Sequence, residues 1–269
     1  LMINFKKLKN SNLYTKTLLI LLVILILVFI KNLIFDTKTE NYQDYTLKRF
    51  STNYDIKEIY DDFYANIYDD LYYDENRIDF EVSHIKDLIQ NKKYFSKLVD
   101  LGCGTGHFVG ILNDLKINSI GADISPSMIE KANSYYNNYN FKNADVMDNM
   151  LFEGSSINII TCLYFTIYYI DDKLSFLNNC YNWLSPNGYF VLHLCDKENF
   201  NIRIQDNSEI KLYDLYRSNN NNNKVIYFDN YKYKTKFNLN ENNGTFNETF
   251  ENLKTNDVRR DIDAHGSGT

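Results

Sequence analysis

The stretch Val99-Asp100-Leu101-Gly102-Cys103-Gly104-Thr105-Gly106-His107-Phe108 constrains this chain more than any other. A short apolar run is interrupted by an acid, and glycines then stand at every second position. Without a Cβ, such glycines let the backbone turn sharply and approach a bound ligand closely. The N–H groups of the turn and of the following helix start then face a polar or anionic group. In an α/β sheet, the first strand-to-helix turn is where nucleotide-like cofactors bind.

The surrounding pattern agrees with that reading. Residues 98–101 and 119–123 read as strands, 141–145 as a weak third and 157–163 as a β-branched fourth. Residues 189–194 form a fifth after the turn Pro186-Asn187-Gly188. Helical stripes lie between them, at Phe108, Ile111, Leu112 and Leu115, and at Leu174, Leu177, Cys180, Tyr181 and Leu184. Ser125 suits a helix N-cap with Pro126 at the first helical position. Strands alternating with helices predict an α/β fold, a Rossmann-like parallel sheet with helices on both faces.

Flanking segments extend this frame. Ile78, Val82, Ile85 and Ile89 mark one face of an amphipathic helix ahead of the first strand. Tyr60, Phe63, Tyr64, Tyr68, Leu71 and Tyr72 recur at mostly helical spacing; core packing is favoured over ligand contact. After Asp196 the pattern changes: 225–239 alternates apolar with polar positions, and Phe246 and Phe250 come after Asn242-Asn243-Gly244. That predicts an antiparallel C-terminal hairpin. Residues 256–269 have no periodicity and are expected to be an unstructured tail.

The N-terminus suggests a membrane segment. Residues 1–17 are basic, and 18–35 are apolar, unbroken from Leu18 to Ile30 and resumed at Leu33, Ile34 and Phe35. This approaches the ~17–25 residues that span hydrocarbon, with Lys31 able to snorkel to the interface. A cleaved signal peptide is the rival, but the run is not succeeded by a small-residue cleavage pattern. The expected organisation is a transmembrane anchor over 18–35 contacting the lipid bilayer, a polar linker over 36–52 and a catalytic domain over 53–255. Lys6, Lys7, Lys9 and Lys16 favour a cytoplasmic N-terminus, which would leave the domain outside. A cytosolic cofactor favours a cytoplasmic domain. The latter is preferred for this single-pass arrangement, and the sidedness stays open.

Composition narrows the classes. A hydrophobic fraction of 44%, with 2 Pro and 10 Gly, supports a packed core rather than disorder. The net charge is −6 and no Lys/Arg block lies near the glycine turn, so nucleic acid is not an indicated partner. Cys103, Cys162, Cys180 and Cys195 show neither metal-ligand spacing nor a disulfide framework. No metal is expected, and the thiols read as small buried or ligand-adjacent groups.

The residues downstream of the glycines carry the chemistry. Asp123 ends the second strand, about twenty residues on, where an acid accepts hydrogen bonds from ribose hydroxyls. Asp145 and Val146 close the third strand, and Cys162 and Leu163 the fourth, at the same carboxyl edge. Four consecutive strand ends therefore present groups suited to one adenosine-bearing ligand.

Val99-Asp100-Leu101-Gly102-Cys103-Gly104-Thr105-Gly106 resembles the first motif of class I S-adenosylmethionine-dependent methyltransferases. The run 121–132, Gly121 to Ala132, looks like their second motif, and Asn143-Ala144-Asp145-Val146 is similar to their third. Leu184-Ser185-Pro186-Asn187-Gly188-Tyr189 resembles the turn before their fifth strand. The likeness covers about residues 54–196. It implies S-adenosyl-L-methionine as cofactor, with Gly102, Cys103, Gly104 and Gly106 beneath its methionine part and Asp100 near its amino group. It further implies Asp123 on the ribose, flanked by Ile124 and Met128. Asp145 and Val146 would meet the adenine, Cys162 and Leu163 would line the other side, and Tyr68 would be a lid over the methionine end. The family usually adds a helix and a paired sixth and seventh strand after the fifth; here a hairpin follows instead, read either as an insertion ahead of a missing end or as an incomplete sheet.

Methyl transfer is an in-line displacement, so such an enzyme chiefly aligns the reacting groups. A base is needed only where the acceptor must lose a proton. His193, near the end of the fifth strand, is the candidate, with a structural histidine as the alternative. The Asn/Asp-Pro-Pro-Tyr/Phe motif of amino-methylating DNA enzymes and the Pro-Cys of cytosine-C5 enzymes are absent after the fourth strand. A small molecule, a lipid-associated acceptor or a protein stays open, and a small molecule is preferred. Two other readings remain: an NAD(P)-dependent Rossmann oxidoreductase, whose fingerprint needs glycine where His107 stands, and a non-catalytic membrane-tethered cofactor-binding protein.

Overall fold

The computed structural model describes residues 51–90, 94–194, 223–228, 230–239 and 243–266, together with Leu21, Leu22, Ile24 and Leu25. The chain divides into two units, Leu1–Thr46 and Leu47–Thr269. In the first, Leu21, Leu22, Ile24 and Leu25 are helical and exposed. Most of the expected anchor at 18–35 lies outside the described residues. Among the described residues, no helix is long and apolar enough to cross a membrane.

The second unit carries two five-stranded sheets. The first is built from β2 (Leu98–Leu101), β3 (Ser119–Asp123), β4 (Asn140–Asn143), β5 (Ile157–Cys162) and β6 (Leu184–Leu192). Its spatial order is β4-β3-β2-β5-β6, and every pair is parallel. Helices α3 (Glu75–Gln90), α4 (His107–Asp114), α5 (Pro126–Tyr135) and α6 (Lys173–Trp183) cover it, with a short 3-10 helix at Thr166–Tyr169. This is the Rossmann-like parallel sheet that the alternating pattern predicts.

The two faces are read from adjacent residues of β2. Leu98 packs with Ile78, Val82 and Ile85 of α3 and with Phe108 and Leu112 of α4. Val99 and Leu101 pack instead with Ile167, Ile170 and, from α6, Phe176, Cys180 and Trp183. Successive strand residues point to opposite faces, so a strand covered on both sides is apolar on both, and the one acid of β2, Asp100, is buried against the Thr161 hydroxyl. Each buried aliphatic side chain contributes about 1.5–3 kcal/mol. Asn179 of α6 donates to the carbonyls of Val146 (3.2 Å) and Met147 (3.1 Å), and so holds the loop after β4.

The second sheet has the order β1-β10-β9-β8-β7. It comprises β1 (Ser51–Asn53), β7 (Asn223–Tyr227), β8 (Tyr231–Leu239), β9 (Asn243–Asn252) and β10 (Val258–Gly266). The predicted hairpin is its β8–β9 pair, with Tyr233 opposite Phe250 and Lys232 opposite Glu251. Two expectations are corrected. The tail at 256–269 is not unstructured over Val258–Gly266, which forms β10 antiparallel to β9. The linker at 36–52 does not run to its end, because Ser51–Asn53 pairs parallel with β10, Ser51 opposite Arg259 and Asn53 opposite Asp261. Among the β10 positions whose burial is described, the buried ones are Arg259 and Asp261, an ion pair that reads in the sequence as surface residues.

Helices α1 (Ile56–Ile59) and α2 (Asp62–Tyr72) join the two sheets. Phe63 of α2 meets Tyr231 and Phe250 edge-on, with ring centroids 5.3 and 5.1 Å apart. Arg259 binds Asp61, the N-cap of α2, through Nη1 at 2.7 Å to each carboxylate oxygen, and lies over the Phe63 ring at 5.2 Å. Asp61 accepts in turn from the backbone N–H of Tyr64 at 3.1 Å.

Candidate functional site

The strand order changes direction between β2 and β5, and open α/β sheets bind ligands outside their carboxyl ends at such a crevice. The glycine turn lies there. Gly102, Gly104 and Gly106 all have positive φ, at 75°, 54° and 81°. The N–H groups of Gly102 and Cys103 both bond the Ala122 carbonyl, at 2.7 and 3.1 Å, so the turn folds back over β3. A Cβ at Gly102 would lie 2.4 Å from Thr166, so that glycine is required by packing. At Gly104, among the described residues, the one side chain near a Cβ would be Tyr68, at 3.7 Å. The space above Gly104 is therefore a cradle roofed by one aromatic ring.

Asp123 ends β3 beside this cradle. Its Oδ2 accepts from the N–H of Gly104 and its Oδ1 from that of Ser125, both at 2.9 Å. Burial raises its pKa against these backbone donors. Ser125 caps α5 as expected, accepting from the N–H of Met128 at 3.1 Å, with Pro126 opening the helix. Ile124 stands at the cap and its carbonyl accepts from Asn143 at 3.0 Å; Met128 is buried.

Asp100 is buried within β2 and takes the hydroxyl of Thr161 at 2.6 Å. Burial pushes its pKa up to about 7, with the Thr161 hydrogen bond opposing. Asp145 stands after β4 at the surface and accepts from the N–H of Met147 at 2.9 Å. Val146 packs on the core. Leu163 is half-buried at the end of β5. Cys162 is wholly buried in the core, and burial pushes its thiol pKa up. A contact from Cys162 to a ligand at this edge therefore involves backbone rather than sulfur. The Cys103 thiol packs onto β3, where a Cβ on Gly121 would meet it at 2.7 Å.

His193 comes directly after β6, its N–H bonded to the Cys162 carbonyl at 3.1 Å. Burial lowers its pKa and the nearby Arg77 lowers it further, which keeps the ring neutral at pH 7.

Several residues at this edge carry no local sequence signal. Asp69 of α2 accepts from Thr105 Oγ1 (2.6 Å) and from His107 Nε2 (2.9 Å). A carboxylate only accepts, so His107 carries its proton on Nε2 and turns Nδ1 to the Tyr136 hydroxyl at 2.8 Å. Burial acts to raise the Asp69 pKa, but the bonds from His107 and Thr105 outweigh it and hold it low. Asp69 thus ties α2 to the glycine turn from 36 and 38 residues away. Tyr164 takes the left-handed conformation (φ 55°) just past β5, with the Arg77 guanidinium 4.3 Å from its ring centroid. Non-glycine residues held at positive φ cluster at functional sites.

The family profile described as "Methyltransferase domain" matches residues 76–252, more than half the chain. The chain belongs to the methyltransferase-domain family. Solved structures share its fold. A S-adenosylmethionine-dependent methyltransferase from Clostridium acetobutylicum ATCC 824 aligns with a TM-score of 0.52 at 21% identity, covering 76% of this chain and 79% of that one. A S-adenosylmethionine-bound amino pentose methyltransferase from Micromonospora echinaspora aligns at 0.51 and 14%, covering 70% and 76%. A sugar N-methyltransferase from Streptoalloteichus sp ATCC 53650 aligns at 0.50 and 15%, covering 67% and 69%. No curated protein sequence is significantly similar to the chain.

This methyltransferase takes S-adenosylmethionine as cofactor, and its residues fit that ligand. The cradle over Gly104 would be filled by a Cβ, and the carboxylate of Asp123, at the end of β3, holds the Gly104 N–H at its side. Among the described residues, no three His, Cys, Asp or Glu side chains gather as a metal site.

Proposed function

We propose that this methyltransferase modifies a small molecule at a nitrogen or oxygen nucleophile. The observation that carries the reading is the aromatic lining beside the cradle. Tyr60, Tyr68, Tyr164, Phe165, Tyr168 and Tyr169 are partly exposed at the carboxyl edge of the parallel sheet. Aromatic rings gathered beside a cofactor cradle suit a small ligand. The sugar and amino pentose enzymes among its fold neighbours run such reactions on the same frame.

In this reading Gly102, Cys103, Gly104 and Gly106 support the methionine part of the cofactor, and Asp100 faces its amino group. Asp123 takes the ribose hydroxyls, with Ile124 and Met128 beside them. Asp145 and Val146 bound the adenine, Leu163 and the backbone of Cys162 line the opposite wall, and Tyr68 closes the methionine end. When bound, S-adenosylmethionine supplies an electrophilic sulfonium methyl. The chain's part is to align the acceptor with it and exclude water. In this reading His193, kept neutral, would hold the proton that a nucleophile gives up.

The unbroken apolar run beginning at Leu18 supports a single-pass anchor over 18–35, with the catalytic domain on the cytoplasmic side where the cofactor is made. Resistance of the full chain to alkaline extraction from membranes checks the anchor.

Incubating the protein with methyl-labelled S-adenosylmethionine and a cell extract tests the acceptor class. Label is expected in an ultrafiltrate compound other than S-adenosylmethionine, formed only when the protein is present. Label confined to protein or nucleic acid sinks the reading.

A further inference from the structure

Helix α2 carries Tyr64, Tyr68 and Tyr72 at four-residue intervals, so the three rings form one stripe. Their centroids are 6.3 and 5.2 Å apart in sequence order. The middle ring lies over Gly104. The outer two have a different attachment. Tyr64 donates to Glu248 Oε2 at 2.6 Å, and Tyr72 donates to Glu248 Oε1 at 2.9 Å. Tyr233 of β8 donates to the same Oε1 and lies 3.1 Å from the Tyr72 hydroxyl. Glu248 belongs to β9 and is 1% exposed. A carboxylate of the second sheet therefore collects three phenols, two from the helix that roofs the cofactor cradle.

The Tyr68 hydroxyl makes no hydrogen bond among the described residues. Its place over the turn is set by the neighbours that wedge its ring. Asp69, the next residue, pins α2 to Thr105 and His107 on one side. Glu248 pins the stripe on the other.

We infer that Glu248 is a positioning residue for cofactor binding: by holding the Tyr64 and Tyr72 hydroxyls it fixes the roll of α2, so that Tyr68 stays over Gly104. The second sheet thereby takes part in the cofactor site without touching the cofactor. This role rests on the placement of the cofactor's methionine end over Gly104. Hydrogen bonds to a charged group are the stronger kind, and buried polar networks fix geometry when every member is satisfied.

The test is a double-mutant cycle read by calorimetry with S-adenosylhomocysteine, which needs no acceptor. Wild-type binding checks the cofactor placement itself. Glu248→Gln keeps the shape but cannot take three donors, and should weaken binding roughly three- to tenfold. In a Tyr68→Ala background the same change should have no further effect, because the residue through which it acts is gone. Equal losses in both backgrounds would mean that Glu248 only stabilises the fold, and would overturn the inference; so would unchanged binding in Glu248→Gln. Wild type failing to bind would instead strike the cofactor placement.

Two further arms guard against misfolding of Glu248→Gln. Tyr64→Phe and Tyr72→Phe each remove one donor, and each should show the same coupling to Tyr68→Ala. Ultraviolet titration of tyrosine adds a signature independent of binding. In the wild type, burial and then the Glu248 charge push the Tyr64 and Tyr72 pKa values well up. In Glu248→Gln both should ionise at lower pH.

Discussion

The backbone N–H of Gly104 donates to Asp123 Oδ2 over 2.9 Å, joining the turn after β2 to the acid that ends β3. One carboxylate thus both shapes the glycine cradle and stands on its rim. Asp123→Ala should weaken S-adenosylmethionine binding by about 1.5–3 kcal/mol, the scale of a hydrogen bond to a charged group. Calorimetry measures it; binding within twofold of wild type would remove Asp123 from the site.

Gly102 and Gly104 share positive φ but face different surroundings. An alanine Cβ at Gly102 would sit 2.4 Å from Thr166, against 3.7 Å to Tyr68 at Gly104. Gly104→Ala should cost stability only ~1–2 kcal/mol from its left-handed backbone, while abolishing cofactor binding by filling the cradle. Gly102→Ala should lower the melting temperature further. Thermal melts with and without cofactor separate the two.

Asp100 links stability to pH. Its folded pKa of about 7 exceeds the ordinary 3.8, so the folded state retains a proton that the unfolded state has lost between these values. Stability must fall as pH rises through that window. Asp100→Asn keeps an acceptor for Thr161 and removes the penalty. It should raise stability by a few kcal/mol at most at pH 8 and by little at pH 4, as denaturant titrations at both values would show.

Arg259 joins buried Asp261 to Asp61 at 2.9 and 2.7 Å. Arg259→Met leaves the Asp261 carboxylate buried and uncompensated, and should cost about 3–5 kcal/mol. Adding Asp261→Val should recover most of the loss. Chemical denaturation of the single and double variants decides.

Once an acceptor is known, His193→Ala should lower kcat and remove the acid limb of its pH profile. That limb should lie below the ordinary histidine value, 6.5, because burial and Arg77 depress the pKa. Unchanged profiles would leave His193 a structural residue.

The parallel sheet was legible because its causes are local. Val99, Leu101, Ile157 and Ile160 had to be apolar to be covered on both faces, and Gly102, Gly104 and Ser125 had to be what they are for backbone reasons. The edge where the candidate site residues gather is legible for the same cause, since parallel strand order brings consecutive carboxyl ends together.

The second sheet was legible only at its β8–β9 hairpin. Its edges depend on pairings such as Asn53 with Asp261, 208 residues apart, and its β10 interior is an ion pair that looks like surface. The contacts that shape the roof of the site are of the same kind: Asp69 with His107, and Glu248 with Tyr64 and Tyr72. Alone, the sequence determined the glycine turn and the alternation of strands with helices, because backbone conformation and burial period are written residue by residue. Only the tertiary structure decided which helix covers the turn and what holds it there, because a buried charge is legible only beside its partner.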